Sequence, residues 1–197
     1  MSTEHDERLA RFLGGPNAGR TLALMIESGM AANPVEALVQ IGVDRERAEQ
    51  CMRLNDQTGP YVRRGVERAA AGDMAEAIHC ATEIMSIGGP ATLAAACWFW
   101  AREPYRHPGY DSSNAQLIFE DAETGERIDP PTPTTAGERG ALLGAQFTVA
   151  ALHDDIEGTQ ALFKAAWDDR DPECVRTLVE QVLTFAGSVR REPGGEQ

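Results

Sequence analysis

The residues best suited to chemistry in this sequence form a dense run of aromatic and basic side chains between Trp98 and Tyr110. Aromatic rings supply large apolar contact areas at small entropic cost, and arginine adds directed hydrogen bonds. This combination is typical of stacking sites and of contact residues in protein interfaces. The predicted partner-binding residues are Trp98, Trp100, Arg102, Tyr105, Arg106, His107, Tyr110 and Phe119.

Trp98, Phe99 and Trp100 are consecutive, so they cannot all face one side of a helix. We therefore expect at least one ring to reach a second surface, which is either a neighbouring segment of this chain or a partner. The alternative is structural, because large aromatic residues are usually found in protein interiors. In that case the rings attach a neighbouring segment to the core.

A second candidate for chemistry is the sequence Ala150-Ala151-Leu152-His153-Asp154-Asp155. It resembles the His-Asp pair that metal-dependent phosphohydrolases carry on a helix. The resemblance implies a metal that activates water, with His153 and Asp154 as ligands, His79 or His107 upstream, and Asp168 or Asp171 downstream. The structural alternative is that His153 ends an apolar stripe while Asp154 caps the next helix. The expected downstream lysine is missing, so this alternative is favoured.

Other catalytic patterns are not found. The sequence has no serine in a Gly-x-Ser-x-Gly turn, and the glycines near Gly14 and Gly19 lack the lysine and spacing of a phosphate-binding loop. We therefore expect a protein that is not an enzyme and that uses no cofactor.

Residues 34–55 contain a helix, a glycine turn at Gly42 and a second capped helix. This pattern resembles the helix-turn-helix of DNA-binding regulators, and it is also similar to three-helix protein-binding modules such as ubiquitin-associated domains. The DNA reading would place the second helix in the major groove. However, Asp44, Glu46 and Glu49 balance Arg45, Arg47 and Arg53 there. DNA-reading helices usually carry a basic surplus, so nucleic-acid binding is disfavoured and is conceivable only through 34–55.

The chain is strongly acidic, with 31 acids against 18 basic residues and a net charge of −13. An acidic surface repels phosphate backbones, which again disfavours nucleic acid. The sequence offers no signal-like N-terminus and no apolar run close to membrane-spanning length, which predicts a cytoplasmic protein without a membrane partner. The 4 cysteines are far apart and lack Cys-x-x-Cys spacing, so we expect reduced, buried thiols.

Helix starts are well marked. Four segments place a capping residue three positions before a glutamate, which suits the unpaired amides of a first helical turn. The predicted caps are Asn33, Asp73, Thr135 and Asp154. Asp171-Pro172 and Gly89-Pro90 predict two further, proline-led starts.

Apolar residues recur at helical spacing after these starts, for example at Met74, Ala77, Ile78 and Ala81. The pattern predicts an all-α protein of about ten helices, arranged as a single-domain bundle over 1–197 or as an irregular array of helix pairs. No fixed repeat period is present, which favours the bundle over a solenoid.

The helical pattern is interrupted over 103–135 by an insert rich in proline and glycine. Within it, 115–129 predicts a small β-hairpin, because Leu117 to Phe119 favour a strand and Glu123 to Glu126 favour a turn. An isolated hairpin is marginal in water, so it should dock on helices or on a partner. The insert is therefore either a surface excursion or a functional arm. Residues 191–197 predict a flexible C-terminal tail.

The sequence favours a non-enzymatic, acidic, helical protein-interaction module that serves as an adaptor, a regulator or a subunit of an assembly. Its partner should be another protein, and a homo-oligomer is possible. The two alternatives are a helix-turn-helix-like DNA-associated regulator and a metal-dependent phosphohydrolase.

Overall fold

The computed structural model describes residues 24–103, 115–120, 124, 126–127 and 129–191 of the chain. This described part is built on helices, which confirms the all-α prediction. A helical turn at 24–27 is followed by six helices. They are α1 (Pro34–Gln40), α2 (Arg45–Ala70), α3 (Met74–Ala101), α4 (Ala136–Leu152), α5 (Ile156–Trp167) and α6 (Pro172–Arg191).

Three of the four predicted caps are confirmed. Asn33 accepts a hydrogen bond from the Glu36 amide at 3.0 Å. Asp73 accepts one from the Glu76 amide at 3.2 Å. Thr135 and Glu138 form a reciprocal capping box. Each bond satisfies an amide that has no partner inside its helix.

The cap predicted at Asp154 is wrong by one residue. Asp155 caps α5, because its carboxylate accepts a hydrogen bond from the Gly158 amide at 2.8 Å. Asp154 instead lies in the turn between α4 and α5 with a φ of 58°. Aspartate tolerates this left-handed conformation better than most residues. Its carboxylate is therefore available for a contact elsewhere.

The prediction of about ten helices is not confirmed for the described residues. The start expected at Gly89-Pro90 is a kink inside α3, where Gly89 has a φ of 72° and a ψ of −169°. Glycine accepts this backbone conformation without steric cost, and Pro90 begins the second segment of the helix.

The described residues fall into two compact units, divided inside α2 between Pro60 and Tyr61. The first unit has a small core formed by Leu38, Val43 and Ala48. Val43 is held by a hydrogen bond from its amide to the Leu38 carbonyl at 3.0 Å, across the Gly42 turn. Gly42 has a φ of 100°, which a residue with a side chain rarely adopts. The prediction of one domain over 1–197 stays a prediction.

The second unit contains the main hydrophobic core, formed by α3 to α6 and the end of α2. α4 and α6 pack against each other at two glycines of α4, Gly140 and Gly144. A Cβ built at Gly140 would overlap the Cys174 carbonyl oxygen, and one built at Gly144 would lie 2.9 Å from the Leu178 carbonyl oxygen. The helix pair therefore depends on the absence of side chains at these positions. The largest fully buried side chains include Trp100, Phe147 and Leu178.

The four cysteines are free, in line with the expected reduced thiols. Cys80, Cys97 and Cys174 are buried, whereas Cys51 is only half-buried, which corrects the expectation for that residue. Burial raises the pKa of the Cys97 thiol because the apolar surroundings penalise a thiolate. These side chains act as small apolar core residues.

The insert predicted over 103–135 lies between the end of α3 at Ala101 and the start of α4 at Ala136. Its described residues contain one isolated antiparallel bridge, between Glu120 and Arg127, and no longer ladder. The hairpin over 115–129 is therefore not confirmed. The predicted tail over 191–197 lies outside the described residues, apart from Arg191 at the end of α6.

α3 is long and apolar enough to cross a membrane by length and composition, which differs from the sequence expectation that no such run exists. In its most apolar stretch of 18 residues, 33% of the residues are buried. The core helix of a soluble protein passes the same test, so the cytoplasmic location stays a prediction.

An ion pair joins α4 to the connection between α5 and α6. Arg139 donates from Nε to Asp169 Oδ2 at 2.8 Å and from Nη2 to Oδ1 at 3.2 Å. These bonds, with one from the Asp171 amide, lower the pKa of Asp169 from 3.8 to about 2. The pair therefore stabilises the fold fully above pH 3.8, and its contribution is lost as the pH falls toward about 2.

We expect Asp169→Asn to lower the melting temperature at neutral pH, and this difference from the parent should shrink as the pH falls toward about 2. Thermal unfolding followed by circular dichroism across acidic pH measures the effect. Asp168→Asn is the control, because Asp168 is exposed and forms a surface pair with Lys164, and such pairs contribute little. A constant difference at every pH would contradict this account of Asp169.

Candidate functional site

The structure separates the predicted partner-binding residues into three groups. Trp100 and Arg102 are buried, with exposed fractions of 0% and 8%. Trp98 and Phe119 are half-buried. The remaining four lie outside the described residues, and these are Tyr105, Arg106, His107 and Tyr110. Trp100 and Arg102 can therefore support a surface, but in this structure they do not form it.

Trp100 is directed into the core against α2. Its indole Nε1 donates a hydrogen bond to the Val62 carbonyl at 2.8 Å. Its ring lies over Gly65, where an added Cβ would be 3.0 Å from Trp100 Cζ2. A buried indole N–H usually finds such an acceptor. The ring thus fixes the second segment of α3 on α2.

Arg102 caps the end of α3 and binds the end of α4. Its Nη1 donates to the Ala151 carbonyl at 3.2 Å and forms an ion pair with Asp154. Its guanidinium also lies over the Trp98 ring, 4.5 Å from the ring centroid. A buried arginine needs such compensation, because desolvation of its charge is costly. We call Trp98, Arg102 and Asp154 the arginine clamp.

The left-handed turn at Asp154 explains how the arginine clamp forms. Since Asp155 caps α5, Asp154 can direct its carboxylate to Arg102. Glu103, which follows Arg102 in the sequence, is also buried, at 3% exposure. Its Oε1 lies 4.0 Å from Arg190 Nε in α6. Opposite charges thus meet at this end of the core. Because Arg102 is paired with Asp154, Arg102 is poorly suited to binding a substrate anion.

His153 connects the same end of α4 to the insert. Its Nε2 lies 2.7 Å from the Ala115 carbonyl oxygen. A carbonyl only accepts hydrogen bonds, so Nε2 must carry the proton in this contact. The exposed His153 side chain therefore anchors the described segment 115–120 beside the arginine clamp.

The metal-binding alternative gains no support from this geometry. His153 Nε2 is engaged by Ala115, and Asp154 is engaged by Arg102. Of the downstream acids, Asp168 pairs with Lys164 and Asp171 accepts from the Glu173 amide at 2.9 Å. Across the part of the chain that the structure describes, no group of three or more His, Cys, Asp or Glu residues could hold a metal ion.

The helix-turn-helix segment is formed by α1, the turn at Gly42 and the start of α2. Asp44 caps α2, because its Oδ1 accepts from the amides of Glu46 at 2.9 Å and Arg47 at 3.2 Å. Farther along the helix, Arg53 lies 3.8 Å from Glu49. Acidic and basic side chains thus alternate on the exposed start of α2. The basic surplus expected of a DNA-reading helix is absent from this segment.

Three exposed apolar residues, one near the end of α3 and two inside the insert, were not among the predicted site residues. Phe99 is 36% exposed, Leu117 is 36% exposed and Ile118 is 40% exposed. The run of three rings carried a signal for Phe99, since one ring had to face away from the other two. The sequence of Leu117 and Ile118 indicated a strand and carried no signal of exposure.

We found no match to this chain among protein-family models, curated proteins or solved structures.

Proposed function

We propose that this chain is a non-enzymatic protein-interaction module, acting as an adaptor, a regulator or a subunit of an assembly. The contact region is the insert surface, which we define as Phe99, Leu117 and Ile118. The observation that carries the proposal is the distribution of exposed large apolar residues. Within the described residues there are six of them, and three form this surface, with Phe99 near the end of α3 and Leu117 and Ile118 inside the insert.

The contacts at the end of α4 support this proposal because they anchor the two segments that carry the insert surface. Arg102, just after Phe99, binds the Ala151 carbonyl and Asp154. Ala115, just before Leu117, is held by His153. Both segments, the end of α3 and residues 115–120, therefore attach within residues 151–154. Anchored apolar side chains lose less conformational entropy on binding than mobile ones do, which favours their use as contact residues.

The roles of the aromatic and arginine residues are divided in this proposal. Phe99 supplies apolar area to the partner. Arg102, which lies over the Trp98 ring, attaches the end of α3 to the end of α4. Trp100 packs the same end of α3 into the core. The hairpin over 115–129 remains part of the proposal as the form of the contact arm, and the bridge between Glu120 and Arg127 supports it.

The test combines two substitutions in the insert surface, Phe99→Asp and Ile118→Asp. Immobilised parent protein is used to capture binding proteins from a lysate of the source cells, and each captured protein is then purified and titrated against the variants. We expect the double variant to bind at least about tenfold more weakly, because buried aromatic and aliphatic anchors dominate interface energies.

The matched control is Trp167→Asp, because Trp167 is 40% exposed, as Ile118 is, but lies at the end of α5. It should leave the affinity unchanged. A protein that binds the parent and the double variant equally would contradict the insert surface as the contact region. Stoichiometric metal in the purified protein, lost in His153→Ala, would favour the hydrolase alternative instead.

A further inference from the structure

Residues 115–120 form an extended segment that belongs to no helix. One end is held where His153 binds the Ala115 carbonyl, and the other end forms the bridge from Glu120 to Arg127. Between these ends, within the part of the chain that the structure describes, residues 116–118 make no backbone hydrogen bond. An extended segment with unpaired amides and carbonyls is a template for a further strand.

The prolines that follow the bridge explain why the insert does not supply this strand itself. An antiparallel ladder continued from the bridge would set Pro130 opposite Leu117 and would bring in Pro131 next. Proline has no amide N–H to donate, and within sheets it is confined to edges and strand starts. Among the described residues the ladder therefore stops at one bridge, and the backbone groups of 116–118 are left for a strand from elsewhere.

The side chains of the same segment suit a strand partner. Adjacent residues of an extended chain point to opposite sides. Leu117 is 36% exposed and Ile118 is 40% exposed, so apolar groups reach solvent on both sides of the segment. A paired strand would cover them with its own side chains, while main-chain hydrogen bonds hold it in place.

Charge identifies the chemistry of the partner. Residues 115–129 carry five acids and one arginine, which are Glu120, Asp121, Glu123, Glu126, Asp129 and Arg127. This local excess of acids attracts lysine and arginine, and it repels nucleic acid and a second copy of this chain, whose net charge is −13. We propose that residues 116–118 pair, as a β-strand, with an extended segment of a partner protein in which basic and apolar residues alternate.

Strand pairing rests on the proposed function and names the partner of the same surface by its chemistry. The proposed function requires only the exposed side chains of Phe99, Leu117 and Ile118. Strand pairing also requires the backbone amides and carbonyls of 116–118. Changes that alter the backbone and keep apolar side chains therefore separate the two.

The experiment titrates the purified full chain into a library of short fluorescent peptides in which Lys or Arg alternates with Val, Ile, Leu or Phe. Fluorescence anisotropy measures binding, and we expect the parent protein to bind saturably. Replacing every basic residue of the best peptide by Glu should weaken binding at least about tenfold, because the acids of the insert then face acids.

Methylation of the peptide backbone tests for main-chain pairing. N-methyl groups remove hydrogen-bond donors and keep every side chain. Alternate amides of a strand point to opposite edges, so only one alternate set can face residues 116–118. Methylating that set should weaken binding at least about tenfold, whereas methylating the other set should leave binding unchanged.

Two pairs of substitutions at the same positions provide the matched test in the protein. Leu117→Pro with Ile118→Pro removes two amide donors and keeps apolar rings, whereas Leu117→Ala with Ile118→Ala keeps the amides and removes more apolar area. Strand pairing makes the proline pair the weaker binder, by at least about tenfold. If side-chain area alone mattered, the alanine pair would be the weaker one. Both pairs should melt like the parent by circular dichroism, because the segment lies outside the helices.

Several outcomes would overturn the inference. These are a parent protein that binds none of the basic peptides, equal losses from methylation of the two amide sets, and a proline pair that binds as tightly as the alanine pair. Self-association of the parent that the proline pair abolishes would do the same, because the occupant would then be a second copy. A captured partner that is lost with Phe99→Asp and Ile118→Asp, but binds the proline pair like the parent, would overturn strand pairing and leave the proposed function standing.

Discussion

Replacing Trp100 by alanine should lower the free energy of unfolding by about 3–5 kcal/mol, as is typical for a fully buried tryptophan. The ring is 0% exposed and packs on Gly65 of α2. Its loss would leave a cavity and leave the end of α3 without its bond to Val62. Native domains are stable by only about 5–15 kcal/mol, so this single change should threaten the fold. Denaturant unfolding measures the difference.

The adjacent residue supplies the control. Phe99→Ala removes a ring that is 36% exposed, and it should change the unfolding free energy by less than about 1 kcal/mol. Trp100→Phe should fall between the two, because it keeps most of the packing and loses the hydrogen bond, which contributes about 1 kcal/mol. Equal losses for Phe99→Ala and Trp100→Ala would contradict the assignment of Trp100 to the core and of Phe99 to the surface.

Gly140→Ala should lower stability by about 1–3 kcal/mol, even though alanine favours helix more than glycine does. The added Cβ would overlap the Cys174 carbonyl oxygen and lie 2.9 Å from Thr177 Cβ. Neither the helix backbone nor a β-branched side chain in a packed interface can move aside easily. α4 and α6 must therefore separate. The corresponding loss in melting temperature is about 2–12 °C for a chain of this size.

Gly137→Ala tests this account within the same helix. A Cβ at Gly137 would meet nothing closer than 3.9 Å, so the same substitution should be neutral or slightly stabilising. Thermal unfolding of the two variants under one condition compares them directly. Similar melting temperatures for Gly137→Ala and Gly140→Ala would show that the approach of α4 to α6 is looser than the structure indicates.

Local features were predicted well wherever a few neighbouring residues determine the outcome. Caps at Asn33, Asp73 and Thr135 depend on a side chain and an amide three residues apart, and the structure confirms them. The cap at Asp154 was wrong because its spacing to Glu157 favoured Asp154, whereas the cap forms between Asp155 and the Gly158 amide. In the structure Asp155 caps α5, and Asp154 forms an ion pair with Arg102, which is distant in sequence.

The sequence by itself determined the helical class, most helix starts and the position of the interruption between α3 and α4, because periodicity and capping are local properties. It also established that residues 84–101 carry no charge. Only the tertiary structure decided which side of that segment is exposed, which of three adjacent rings is buried, and which aspartate meets Arg102. These outcomes depend on contacts between helices, and the packing of α3 against α2, α4 and α6 is not encoded in any local pattern.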